Sequence, residues 1–253
     1  MSAEDDLYIY GGDITVYTQN DGGEGLESKN GVYIKGGKII VDTYDDAING
    51  KYHVQFDGGL VYLNSRGNDA VDSNGTMTVT GGFVLAYGQT SPEGAFDCDQ
   101  NTFTVTGGTL IGIGGHVTNP TSSVCTQRSL VYSGVTSGTA LQIVDASGND
   151  LLTLQVPTYS GGGSNPGGGG GWPGGGGWPG GPGGGGSGSL TLLYSSADLQ
   201  QGTITVKQGG TISGGENFYG YYTGATYSGE TSSKSVTISG MVTTYGSGGG
   251  GPF

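Results

Sequence analysis

Positive charge is scarce in this chain. Its 253 residues hold eight Lys and Arg against 21 Asp and Glu, a formal charge of −13. The eight cations are scattered, so no basic patch exists to neutralise phosphates, and neither nucleic acid nor an anionic membrane surface is an expected partner. No apolar run is long enough to cross a bilayer as a helix, so membrane insertion is not expected. Helical periodicity is missing as well: no window of 11 or more residues repeats its apolar positions at the 3.6-residue period. Histidine is limited to His53 and His116, which stand isolated and read as surface or turn residues rather than ligands. Cysteine is limited to Cys98 and Cys125.

Glycine is what the chain has most of, 58 residues in all. It follows no strict Gly-X-Y period, which excludes collagen. Much of it lies in two tracts, Gly161–Gly188 and Gly246–Gly251. Elsewhere Val, Ile, Thr and Tyr alternate with polar residues, the composition of β-strands. The length suffices for one sizeable core, or one core with a small appendage.

An internal repeat organises the first half. Gly-Gly pairs occur at Gly11-Gly12, Gly36-Gly37, Gly58-Gly59, Gly81-Gly82 and Gly107-Gly108, spaced 25, 22, 23 and 26 residues apart. Alignment on these pairs produces apolar columns. Before the glycines run Leu7/Val32/Val54/Met77/Phe103 and Ile9/Ile34/Phe56/Val79/Val105; after them run Ile14/Ile39/Val61/Val84/Leu110 and Val16/Val41/Leu63/Ala86/Gly112. A third segment adds Leu26/Ile48/Val71/Phe96. Three short strands per repeat make one coil of a parallel β-helix, with like residues stacked about 4.8 Å apart. The glycine pairs supply corners with positive φ. A propeller blade needs roughly 40 residues per repeat, and an antiparallel sandwich does not explain five aligned Gly-Gly corners.

Acids recur at the third segment. The repeats read Glu24-Gly25-Leu26-Glu27, Asp46-Ala47-Ile48-Asn49, Asp69-Ala70-Val71-Asp72 and Gly94-Ala95-Phe96-Asp97, with Asp45, Glu93 and Asp99 alongside. Stacking places Glu24/Asp46/Asp69 in one column and Glu27/Asn49/Asp72/Asp97 in the next. Carboxylates about 5 Å apart repel by roughly 1 kcal/mol in water and by more near a protein surface. Two readings follow: a solvated acidic edge, or a site for a hard cation. Oxygen-only ligands select Ca²⁺ over transition metals, and Ca²⁺ tolerates looser geometry than Mg²⁺. Its role here would be structural.

With these segments on the page the chain resembles a known family. EGLES, DDAING, NDAVDSNG, EGAFDCDQNTFTVTGGTL, NPTSSVCTQRS and VTISGMVTTYG together resemble the secreted bacterial carbohydrate-binding β-helix proteins that bind calcium and are similar in shape to pectate lyases. The resemblance covers roughly residues 5–160 and 189–247. It implies polysaccharide binding, calcium at the acidic corners, and an extracellular or bacterial cell-surface location. In an exported chain two lone cysteines are more often paired than free, so a Cys98–Cys125 disulfide is expected, the alternative being two buried free thiols.

After the last coil, Ser129–Ser133, Ala140–Asp145, Leu151–Val156, Ser189–Tyr194 and Gly202–Lys207 read as strands of a cap, which a solenoid needs to stop edge pairing. Between them lies Gly161–Gly188, carrying Gly-Trp-Pro-Gly at 171–174 and 177–180. It reads either as a flexible loop or as polyproline-II segments packed through Trp172 and Trp178, within one subunit or between subunits. The expected fold is therefore all-β: a right-handed parallel β-helix of about five coils over residues 1–128, a β-rich cap over 129–247 interrupted by tract 161–188, and a Gly-rich tail 248–253.

Two surface features qualify for ligand contact. The outward stripe Thr15/Ile40/Tyr62/Leu85/Ile111, flanked by Tyr17, Tyr44 and Tyr87, is either a second core beneath the cap or a glycan platform. Tyr219, Tyr221, Tyr222 and Tyr227 are either strand residues or rings on which sugars stack. A lyase would need a base beside calcium; Arg66 and Lys51 are the nearest cations in sequence and form no catalytic constellation. The sequence reads as a non-catalytic, calcium-dependent carbohydrate-binding protein. The alternative is a self-assembling subunit of a filament or matrix, a homo-oligomer built through the Gly-rich tract.

Overall fold

The computed structural model describes residues 1–20, 22–99, 102–159 and 189–246. Among these, every regular element is a β-strand. The repeats wind into a solenoid of about five coils with three faces, each face a parallel sheet.

The first face stacks Ser2–Ala3, Leu26–Ser28, Ile48–Gly50, Val71–Ser73, Gly94–Asp97 and His116–Val117. The second stacks Leu7–Ile9, Gly31–Ile34, His53–Phe56, Thr76–Val79 and Phe103–Val105. The third stacks Asp13–Tyr17, Lys38–Thr43, Leu60–Ser65, Phe83–Tyr87 and Thr109–Gly114.

Register follows the apolar columns residue for residue. Leu7 pairs with Val32, Val32 with Val54, Val54 with Met77, and Met77 with Phe103. On the third face Val41 meets Leu63, Leu63 meets Ala86, and Ala86 meets Gly112. A one-residue slip would turn these side chains outward, so burial fixes the register. Leu26, Ile48, Val71 and Phe96 complete the interior with no exposed surface. The second glycine of each pair has positive φ; Gly37, at +100°, would in addition set a side chain 2.6 Å from the Gly12 carbonyl oxygen. Glycine is required there on both counts.

The cap grows out of the third face. Strand Leu190–Ser195 pairs antiparallel with Thr109–Gly114, Ser129–Val135 pairs antiparallel with Leu190–Ser195, and Val242–Tyr245 adds parallel to Ser129–Val135. Val131 and Leu193 close the end of the solenoid core. A second, antiparallel sheet is ordered Glu216–Phe218, Tyr221–Thr223, Asp150–Gln155, Ala140–Val144, Gly202–Gln208 and Ser232–Ile238. It packs on the outer side of the third face. Leu85, Ile111 and Ile113 meet Leu141, Ile143, Leu152, Leu154, Ile204 and Val206 there in a second core. The outward stripe is thus buried at Ile40, Leu85 and Ile111, while Thr15 stays exposed.

The expected Cys98–Cys125 disulfide does not form; both thiols are free and buried. Each is held by a different stretch of backbone. The Cys98 thiol lies 3.3 Å from the Gly75 carbonyl oxygen, whereas Cys125 Sγ accepts the Val105 N–H at 3.3 Å. They act as small core residues satisfied by the ladder around them. Sequence spacing reports neither burial nor the directions of the Cβ vectors, and the second decides whether a bond closes.

Candidate functional site

The outer side of the first face carries the acids. Glu27 pairs with Asn49, Asn49 with Asp72, and Asp72 with Asp97, so one column crosses four successive coils. Asp46 and Asp69 sit at the corner just before these strands and are buried. Each accepts a backbone hydrogen bond from the next coil: Asp69 N–H donates to Asp46 Oδ1 at 3.1 Å, and Gly94 N–H to Asp69 Oδ1 at 2.5 Å. The Asn49 amide donates to Asp46 Oδ2 at 3.0 Å and to Asp72 Oδ2 at 3.2 Å. It binds two carboxylates where a further acid would only add repulsion. Asn68 donates to Asp45 Oδ1 at 2.6 Å, and Thr118 to Asp97 Oδ1 at 3.3 Å.

Burial and mutual repulsion make these groups hard to ionise. Burial, with the charges of Asp97 and Asp46 behind it, pushes Asp69 up to about 8 even though Gly94 opposes the shift. Burial, then Asp46 and Asp97, brings Asp72 to about 7; burial, then Glu27 and Asp46, brings Glu24 to about 7. Asp46 reaches about 6, chiefly through burial, with the Asn49 hydrogen bond holding it back. Burial also raises Glu93. Glu27 goes the other way, held low by its hydrogen bond from Lys29. Lys29 is the one cation ion-paired to this acidic set among the described residues.

The chemistry of the set therefore fits a hard cation: all donors are oxygens, Asp46 and Asp69 are buried with most of the others partly so, and one ion pair offsets them among the described residues. The acids are strung along the face rather than gathered. Among the described residues no group of three Asp, Glu, His or Cys side chains converges on one metal-sized point. Any cation here would draw on carboxylates of neighbouring coils together with carbonyl oxygens or water.

The four tyrosines do not form one platform. Tyr219, at φ +48°, stacks on Tyr62 with centroids 3.8 Å apart, and its carbonyl accepts the Tyr87 hydroxyl at 3.1 Å. Tyr221 packs on Phe83 at 4.9 Å. Tyr222 receives the Asn217 amide at 3.1 Å, and Tyr227, in a separate two-stranded sheet, donates to the Gly209 carbonyl at 2.7 Å. Tyr219 and Tyr221 thus close the cap over the third face, leaving Tyr219 48% exposed. Trp172, Trp178 and the whole Gly161–Gly188 tract lie outside the described residues.

A different aromatic group, not singled out from sequence, occupies the outer side of the second face. Tyr8 and Tyr33 are register partners stacked at 4.6 Å and 13°. Tyr10 continues from Tyr8 at 6.0 Å and 15°. The following rungs carry Gln55 and Asp57: Asp57 pairs with Lys35 and accepts the Gln55 amide at 2.7 Å and the Thr80 hydroxyl at 2.5 Å. The recoverable signal was that Tyr8 and Tyr33 stand one repeat apart in an outward column.

Searches of curated proteins and of solved structures give no match. A family model described as "Carbohydrate-binding domain-containing protein" matches residues 1–151. That stretch is more than half of the 253 residues and contains all five coils, both faces just described and the first strands of the cap. The chain belongs to the family of carbohydrate-binding domain-containing proteins.

Proposed function

We propose that this chain is a non-catalytic domain that binds polysaccharide outside the cell and that calcium neutralises its acidic face. The observation that carries the binding reading is the family match across the entire solenoid. Calcium is supported by the stacked, partly buried carboxylates, against which Lys29 sets one ion pair, to Glu27. Glu24, Glu27, Asp46, Asn49, Asp69 and Asp72 would supply side-chain oxygens to calcium along the face, each ion shared between neighbouring coils and completed by carbonyl oxygens or water. Asp45, Glu93, Asp97 and Asp99 extend the acidic edge. Bound calcium supplies compensating charge, and the residues supply register. A role without chemistry is supported by where the nearest cations are engaged. Arg66 pairs with Asp42 and lies over the Tyr17 ring, and Lys51 lies over Tyr52, so neither stands as a base beside the acids.

A glycan array probed with and without chelator tests the reading. We expect binding to defined glycans that chelation weakens by unfolding the solenoid. Absence of glycan binding under both conditions would refute it. The alternative of a self-assembling subunit rests on residues 161–188, outside the described residues; their deletion should leave particle size unchanged if the chain is a monomeric binder.

A further inference from the structure

The three outer faces of the solenoid are not equally open. The third is covered by the cap sheet over Leu85 and Ile111, and the first is a line of acids. Among the described residues the second remains open, and it presents aromatic rings to water: Tyr8 is 44% exposed and Tyr10 75% exposed. Scattered exposed tyrosines need no explanation, but a contiguous stack of three with rings within 15° of parallel is an ordered apolar surface. Coil spacing sets the Tyr8–Tyr33 pair, since register partners on adjacent parallel strands lie about 4.8 Å apart, while Tyr10, two residues along the same coil from Tyr8, widens the surface sideways.

We propose that the stack Tyr10, Tyr8 and Tyr33, with the hydrogen-bonding strip Gln55 and Asp57 beside it, is the surface on which this chain binds a neutral pyranose chain. The proposal rests on the carbohydrate-binding reading above and assigns its site. A pyranose has an apolar C–H face and a rim of hydroxyls. Tyrosine matches both, with a ring face for the C–H face and a polar tip for the rim. Tyr8 and Tyr33 cover one face of each other, so the exposed rings of Tyr8 and Tyr10 offer the free faces and Tyr33 backs them. The adjoining strip matches the rim again. Asp57 is neutralised by Lys35 and ordered by Gln55 and Thr80, while His53 contacts Gln55 at 3.2 Å and Thr76 at 2.6 Å. Such a strip offers directed donors and acceptors without net charge.

Charge selects the neutral class. The chain carries −13 overall, and Asp6 lies 3.0 Å from the Tyr8 hydroxyl at the edge of the stack. An acidic glycan would meet that carboxylate, while Lys35, the cation over the Tyr33 ring, is already held by Asp57. Register sets Tyr8, Tyr33 and Gln55 in one column along the solenoid axis, a length that suits an extended chain rather than a single sugar.

Affinity electrophoresis and calorimetry of the full chain against xyloglucan, galactomannan and arabinoxylan, with polygalacturonate as the anionic probe, test this. We expect the wild-type protein to bind at least one neutral polymer in preference to polygalacturonate. Tyr8→Ala with Tyr33→Ala should weaken that binding roughly tenfold or more, as loss of an aromatic anchor does. Tyr10→Ala, at the most exposed ring, should weaken it several-fold with an unchanged melt, and it decides the matter if the double variant does not fold. Tyr219→Ala should leave the affinity intact. Neutral-glycan binding that survives the Tyr8, Tyr10 and Tyr33 substitutions would overturn this site while leaving the carbohydrate-binding reading standing. Preference for polygalacturonate would overturn the neutral class. Binding to none of the polymers would overturn the carbohydrate reading itself, and this site with it.

Discussion

The solenoid and the cap are both β-structure with dry cores, yet they are specified in different ways. In the solenoid each interior residue meets the residue one repeat away, as Val54 meets Met77, so every contact is copied along the chain. In the cap the partners are remote and not repeated: Leu110 meets Ser195, and Gly202 meets Ile238. A repeat array gains stability from nearest neighbours and remains open at its end, whereas a cap is a single solution that must fit that end. The two share Leu193 in the solenoid core and the outer side of the third face at Leu85, Ile111 and Ile113. The repeated part therefore depends on the part that does not repeat.

Cutting the two apart gives the largest expected effect. A chain ending at residue 128 would bare Leu85, Ile111 and Ile113 and lose the Leu193 plug. We expect it to aggregate and to lack a cooperative calorimetric transition. A soluble fragment melting at the full-length temperature would show that the coils are self-sufficient.

Titration of the acidic face comes next. The carboxyls of Asp69, Asp72, Glu24 and Asp46 lie at about 8, 7, 7 and 6, all above their unfolded values near 4. A raised carboxyl favours the folded state below its unfolded value, and that contribution is lost as pH rises through the folded value. Metal-free protein should therefore melt at a progressively lower temperature from pH 5 to pH 9. With calcium present the loss should shrink, because the metal binds the ionised form. Asp69→Asn keeps an acceptor for the Gly94 N–H and removes the charge. In chelator at pH 8.5 we expect it to stabilise the chain by roughly 2 kcal/mol, after allowance for relaxation and water penetration. It should weaken the response to calcium. Flat melting curves across this pH range would contradict the electrostatic description.

The thiols sharpen the comparison at the junction. Burial pushes Cys98 up to about 12 and raises Cys125 as well. Neither should react with a thiol reagent in the native state, and both should react after denaturation without reductant. Finding no thiols in the unreduced denatured protein would restore the disulfide. The smallest effect belongs to the hinge of cap on coil: a double-mutant cycle on Tyr62 and Tyr219 should return a coupling of about 0.5–1.5 kcal/mol for their stacked rings.

What could be read from sequence follows the same division. The interior columns and the row Glu27, Asn49, Asp72 and Asp97 were legible because repetition turns spacing into register. The glycine corners were legible because positive φ admits few other residues. Tyr8 and Tyr33 obey the same register but look like ordinary strand residues until their rings are seen stacked in the open. Tyr219 looked like a sugar contact because nothing in its neighbourhood reveals Tyr62 as its partner. Strand Leu190–Ser195 is legible as a strand of the cap, but its place between the last coil and Ser129–Val135 is not, since chain distance gives no sign of that insertion. The free state of Cys98 and Cys125 was hidden for the same reason.

The most direct measurement of the central claim, that stacked acids on a carbohydrate-binding solenoid are neutralised by calcium, is a thermal melt. Metal-stripped protein at pH 8 would be followed with calcium added, with magnesium added, and with neither. Calcium at about a hundred times its dissociation constant should contribute roughly 2.7 kcal/mol per site, which raises the melting temperature by about 5–10 °C for a chain of this size, and magnesium should do much less. Three superimposed curves, with elemental analysis finding no calcium retained by the untreated protein, would contradict it.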